Sequence, residues 1–172
     1  MILQPNINSL KGIFQRELFG FIVIYILLIY FVGMEEWYSF LSFMFIIFFP
    51  IEGLPILWYS WSYYRFNKNH TFELQTDYIQ VDTGNARKKY PCSEIDRINM
   101  YMSVNNPRFH MAILVPDFFH FAEIIMKNED SVVITSICHH QVDMVLEEIY
   151  PDVPMEYKWG GGALKRLNSK KK

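Results

Sequence analysis

FFPIEGLPILWYSW, residues 48–61, places a carboxylate, Glu52, between two prolines, Pro50 and Pro55, in the most apolar part of the chain. How this stretch is read decides the fold. Each proline removes a backbone donor and crowds the preceding turn, and Gly53 adds backbone freedom, so the group bends or breaks a helix. An ionisable residue in an apolar helix is by default functional. Here no second ionisable group in the apolar segments supplies a relay, so Pro50, Glu52, Gly53 and Pro55 read as a kink first and as chemistry second.

The surroundings of the stretch are sharply divided. The chain has 172 residues, 51% hydrophobic and 17% aromatic, with a formal net charge of −2. Residues 18–64 carry only Glu35, Glu36 and Glu52 as acids and no Lys or Arg, whereas residues 65–172 have the mixed polarity of a folded domain. Leu18–Gly33 is uncharged and spans roughly 24 Å as a helix, and Trp37–Tyr64 roughly 42 Å. The short acidic joint between them predicts a two-helix transmembrane hairpin. Lys11 and Arg16 before it, and Arg65 and Lys68 after it, place both termini in the cytoplasm of a multi-pass inner-membrane protein. Trp37 and Tyr38 would mark the outer interface, and Trp58, Tyr59, Trp61, Tyr63 and Tyr64 the inner one. The apolar run lacks the cleavage site of a signal peptide. Cys92 and Cys138 have no metal-like spacing and read as reduced thiols.

Beyond His70 the period changes from helix-like to two. TFELQ (71–75), YIQVD (78–82), the basic run after the TGN turn (83–85), SEIDRINMYMS (93–103), RFHMAILV (108–115), FHFAEIIMK (119–127) and VVITS (132–136) read as seven strands. HHQVDMVLEEIYP (139–151) has Val142, Val145, Leu146 and Ile149 at helical spacing and stops at Pro151. The expected organisation is an N-terminal segment 1–17, the hairpin 18–64, a domain 65–158 and a basic tail 159–172.

Seven strands closed by one helix resemble the pleckstrin-homology (PH) superfold. The matching passages are TFELQTDYIQVD, YPCSEIDRI and VVITSICHHQVDMVLEEI. The whole resembles bacterial membrane proteins in which a two-helix hairpin precedes a PH-like domain. The expected fold class is therefore an α+β membrane protein: the transmembrane hairpin, then a seven-stranded PH-like barrel or sandwich capped by one C-terminal helix. The resemblance implies a scaffold or binding role. Inositide binding is not carried over, because Arg87, Lys88 and Lys89 after the TGN turn depart from the phosphate motif of the eukaryotic relatives.

No P-loop, dinucleotide fingerprint, GxSxG or HExxH string occurs, so neither catalysis nor a cofactor is expected. His139 and His140 point apart on a helix and make poor metal ligands, and His110 and His120 have no nucleophile beside them. The candidate binding groups are Arg87, Lys88 and Lys89, and the tail residues Lys165, Arg166, Lys170, Lys171 and Lys172. The first group also reads as a solvated edge strand protected by lysine, and the second as a solvated end or a contact to anionic lipid. Nucleic acid is disfavoured by the acidic balance. The leading expectation is a membrane-anchored, non-enzymatic adaptor in contact with the lipid bilayer, whose PH-like domain binds a protein partner or forms a homo-oligomer. The alternatives are an immunity protein that neutralises a membrane-acting toxin, and a transporter or membrane-enzyme subunit using Glu52.

Overall fold

The computed structural model describes residues 1–6, positions 11, 15, 19, 22–23, 26–27, 30, 38–39, 42, 46–47 and 50, and residues 53–102 and 119–159. Along the chain run β1 (Ile2–Leu3), α1 (Leu54–Asn67), β2 (Thr71–Leu74), β3 (Tyr78–Asp82), β4 (Arg87–Pro91), β5 (Ile95–Met102), β6 (Phe121–Met126), β7 (Ser131–Thr135), α2 (Val142–Ile149) and β8 (Met155–Trp159). Two four-stranded sheets form, one in the order β1-β2-β3-β4 and the other β7-β6-β5-β8. All pairings are antiparallel except β5 with β8.

Alternation explains the layers. In the first sheet Phe72, Leu74, Ile79 and Val81 point inward, while Glu73, Tyr78 and Gln80 face outward and are linked through the Glu73 carboxylate. The second sheet is buried on both faces, which is why its strands read as near-continuous apolar runs. Ile98, Met100, Ala122, Ile124 and Ile134 face the first sheet and pack with Phe72 and Ile79 in the main core. Tyr101, Phe121 and Val133, one residue out of phase with these, face α1 and pack with Ile56 and Tyr63. Helix α2 plugs the end between the sheets with Val142 and Leu146, and the Tyr150 hydroxyl donates to the Tyr78 carbonyl at 3.1 Å.

Helix α1 corrects the membrane expectation. Ile56, Ser60, Tyr63 and Asn67 recur every three to four residues and form its buried seam. Asn67 ends that seam at the outer edge of β7. Its Nδ2 donates to the Val133 carbonyl at 3.0 Å, and its Oδ1 accepts from the Thr135 amide at 3.1 Å and the Thr135 hydroxyl at 2.6 Å. One carboxamide thus supplies the donor and acceptor that a neighbouring strand would bring to the edge.

The residues that hydropathy assigns to the second half of a 28-residue span therefore cover a protein face. At 14 residues α1 is about 21 Å long. Among the described residues no helix is long and apolar enough to cross a membrane. The transmembrane hairpin over 18–64 is accordingly corrected, and with it the membrane fold class, the multi-pass inner-membrane localisation and the topology derived from it. The described architecture is α+β, with two helices and two four-stranded sheets. Most of positions 18–52, the strand expected at 108–115 and the tail beyond Trp159 lie outside the described residues.

Strand β1 comes from the segment expected to precede the hairpin. Ile2 pairs with Glu73 and Leu3 with Phe72, and Leu3 is buried in the main core. The Leu74 amide donates to the Met1 carbonyl at 2.8 Å.

Candidate functional site

The three basic residues after the hairpin turn are separated by the pleat. In β4, Arg87 and Lys89 share the outer face and Lys88 takes the inner one with Tyr90. Arg87 pairs with Asp82 at 3.2 Å, and the Lys89 ammonium lies 3.5 Å from the centre of the Tyr78 ring. The turn between β3 and β4 is fixed by Gly84, whose φ of +79° is left-handed, and by its amide donating to Asp82 Oδ1 at 2.8 Å. That amide, followed by the Arg87 guanidinium, holds the Asp82 carboxyl below the usual range.

Lys88 stands at the rim of a cleft of about 320 Å³ between β4 and β7, floored by Phe66, Phe72, Val81 and Val133. Its ammonium approaches Asp130 at 3.8 Å across the mouth. Both groups are largely exposed, so the pair closes the mouth only weakly. The turn before β7 aims Asp130: Asn128 Oδ1 accepts from the Asp130 amide at 3.0 Å, and Glu129 takes a φ of +69°. Each strand is the terminal strand of its sheet, so the cleft lies between two sheet edges. The β7 edge is capped by Asn67. The β4 edge carries no strand among the described residues.

The register identifies what β4 offers there. Thr83 donates to Ala86 and Cys92 to Asp77, which makes 83/86 and 77/92 hydrogen-bonded pairs of the ladder. Alternation turns Lys88 and Tyr90 toward β3, and leaves the main-chain groups of Arg87 and Lys89 on the outer edge. Pro91 follows at the next outward position and has no N–H to give. Among the described residues the open edge is therefore short, and it is blunted at one end.

His70 lines the cleft, its ring stacked on Phe72 with centroids 5.9 Å apart. Burial pushes its pKa down, and burial likewise lowers that of His139, with His140 adding to the effect. A histidine whose folded pKa lies below its unfolded value near 6.5 leaves the unfolded chain holding more protons in the interval between them. Stability is therefore full above that value and declines as pH falls through it. Urea midpoints are expected to drop from pH 7.5 to pH 5.5, and to drop less in His70→Gln; a flat wild-type profile would contradict this.

The structure places the other candidates apart from the cleft. Pro50 and Gly53 each have π-helical backbone, and Pro55 is in the first turn of α1, where a missing N–H is tolerated. Glu52, Lys165, Arg166, Lys170, Lys171 and Lys172 lie outside the described residues. Among the described residues no group of three or more His, Cys, Asp or Glu is arranged to hold a metal ion. Cys92 and Cys138 are free thiols, and burial pushes that of Cys138 up to about 12. Sequence reasoning did not identify Phe66 and His70 as cleft residues, nor Asp130 as the partner of Lys88. Each comes from a different element, and only the meeting of the two sheets brings them to Lys88.

The PH domain family model matches residues 4–144, a range that begins beside β1 and reaches into α2. No curated protein and no solved structure matches the chain. With most of its length inside that match, and with two sheets closed by a helix, the chain belongs to the PH domain family.

Proposed function

We propose that the chain is a non-enzymatic adaptor whose PH domain holds an extended segment of a partner protein along the outer edge of β4. Domains of this family are generally non-catalytic modules that bind proteins or lipids. The observation that carries the protein reading is the β4 edge, which bears no strand among the described residues, beside a cleft with an apolar floor and Lys88 at its rim. Main-chain bonds to Arg87 and Lys89 would supply affinity, and alternate side chains entering the cleft would supply selectivity. An apolar side chain suits the floor. A carboxylate on the segment would compete with Asp130 for Lys88.

Lys89→Pro tests the main-chain part, because it removes an outward N–H without taking a ladder bond from β3. Lys88→Glu tests the charge. With a photo-reactive amino acid at Arg87 in the full chain, the wild type is expected to give a discrete cross-linked partner in cells. Both substitutions should weaken that product at least tenfold while urea midpoints stay close to wild type. A cross-linked product of undiminished intensity in both variants would refute the edge as the binding element.

A further inference from the structure

The outward face of α1 carries an exposed apolar and aromatic stripe. Leu54, Leu57, Trp58, Trp61 and Tyr64 lie within one stripe, each three or four residues from another member, on the side away from Ile56, Ser60, Tyr63 and Asn67. Trp58 and Trp61 are each 62% exposed, and Leu54 and Leu57 are about half exposed, at 49% and 51%. A shallow groove of about 640 Å³ runs beside this stripe, bounded by Pro50, Leu57 and Trp58. The same stripe continues into the last turn and beyond as Arg65 and Lys68, both exposed. No acidic residue interrupts it between Leu54 and Lys68.

We propose that this stripe lies flat on an anionic lipid surface, with the indoles of Trp58 and Trp61 at headgroup level and Arg65 and Lys68 against lipid phosphates. The contact is made from one side, by a helix lying along the surface. Indole suits that layer because its ring is apolar and its N–H needs an acceptor. A helix with aromatic and leucine side chains on one face and cations at its margin has the chemistry of an interfacial helix.

Charge selects this occupant over a second copy of the chain. In an antiparallel two-fold pairing of the stripe, centred on Trp61, Arg65 and Lys68 would meet Leu57 and Leu54 of the other copy. In a parallel pairing they would meet themselves. Both leave the cations without a counter-charge as water is removed, which is costly. Lipid phosphates supply the missing charge.

The test uses the full chain with Trp37→Phe and Trp159→Phe, so that Trp58 and Trp61 are its remaining indoles. The probes are vesicles of phosphatidylglycerol and phosphatidylcholine at one to three, vesicles of phosphatidylcholine alone, and both with brominated acyl chains. On the anionic vesicles the emission should shift to the blue, and bromines near the headgroup should quench it more than bromines deep in the chains. Arg65→Gln with Lys68→Gln should weaken this association by about 30-fold and reduce its salt dependence. Unchanged urea midpoints would show that the domain is intact in these variants. Emission indifferent to all vesicles overturns the proposal. So does a blue shift that grows with protein concentration in the absence of lipid, which would assign the stripe to a second copy. A blue-shifted emission that bromolipid does not quench would assign it to a protein surface, and would equally overturn the proposal.

Discussion

Asn67→Ala is expected to lower the stability of the full chain by about 3 kcal/mol. The carboxamide is fully buried, and it holds the Val133 carbonyl and the Thr135 amide at a sheet edge. Truncation removes three hydrogen bonds and leaves a buried donor and a buried acceptor unpaired, each at a cost of about 1–3 kcal/mol. Against a total stability of about 5–15 kcal/mol this is a large fraction. It corresponds to a fall in melting temperature of about 10 °C for a chain of this size. Asn67→Asp should be worse than alanine at pH 7, because a carboxylate sets an oxygen against the Val133 carbonyl and buries a charge. Thr135→Val removes only the hydroxyl donor and should cost about 1 kcal/mol. Urea unfolding of the three variants checks the order. If aspartate were tolerated as well as asparagine, the edge-capping role would be refuted.

Removing α1 altogether should abolish cooperative folding. A chain starting at Asn69 retains every strand from β2 to β8, yet it uncovers Tyr101, Phe121 and Val133 on the second sheet and Ile137 just after β7. The loss of Ile56 and Tyr63 from the interface costs about 4 kcal/mol, to which the Asn67 bonds are added. The sum of about 7 kcal/mol is comparable with the stability of a typical domain. Near-UV circular dichroism of residues 69–158 should therefore be weak and its unfolding broad. Residues 54–159, with Trp58→Ser and Trp61→Ser to remove the exposed indoles, should give a sharp transition. Equal transitions in the two fragments would show that α1 is an accessory to the domain and not a part of it.

The β-domain was legible because its strands obey a period of two and its turns carry their own chemistry. TFELQ, YIQVD and VVITS each overlap a strand of the structure, and the helical spacing of Val142, Leu146 and Ile149 falls in α2. The role of α1 was not legible, for a definite reason. Hydropathy measures aversion to water, and the interior of a sheet packing and the interior of a bilayer satisfy it alike. With apolar residues on both faces of the helix, periodicity gives no direction. The informative residues were the small and polar Ser60 and Asn67, which fall on the seam with Ile56 and Tyr63 at helical spacing. β1 was illegible because two residues cannot display a period. β8 was not legible as a strand: Pro151 marked only the end of the preceding helix, and Met155, Tyr157 and Trp159 alternate over just five residues before the glycines. In the candidate site, the sequence picked out the basic run and the pleat then divided it, leaving Lys88 alone at the cleft.

The position of β1 also sets an order of events in synthesis. Ile2 and Leu3 are made before the other described strands, but their partners Glu73 and Phe72 follow about 70 residues later. At translation rates of roughly 5–20 residues per second, the first strand waits several seconds before it has a place to dock. Closing so long a loop costs entropy that grows with the logarithm of its length. The sheet formed by β2, β3 and β4 can assemble from neighbours in sequence, and β1 completes it afterwards. The first of the described strands to be made is thus a late one to be placed, and until then the β2 edge stands open to any other chain that offers a strand.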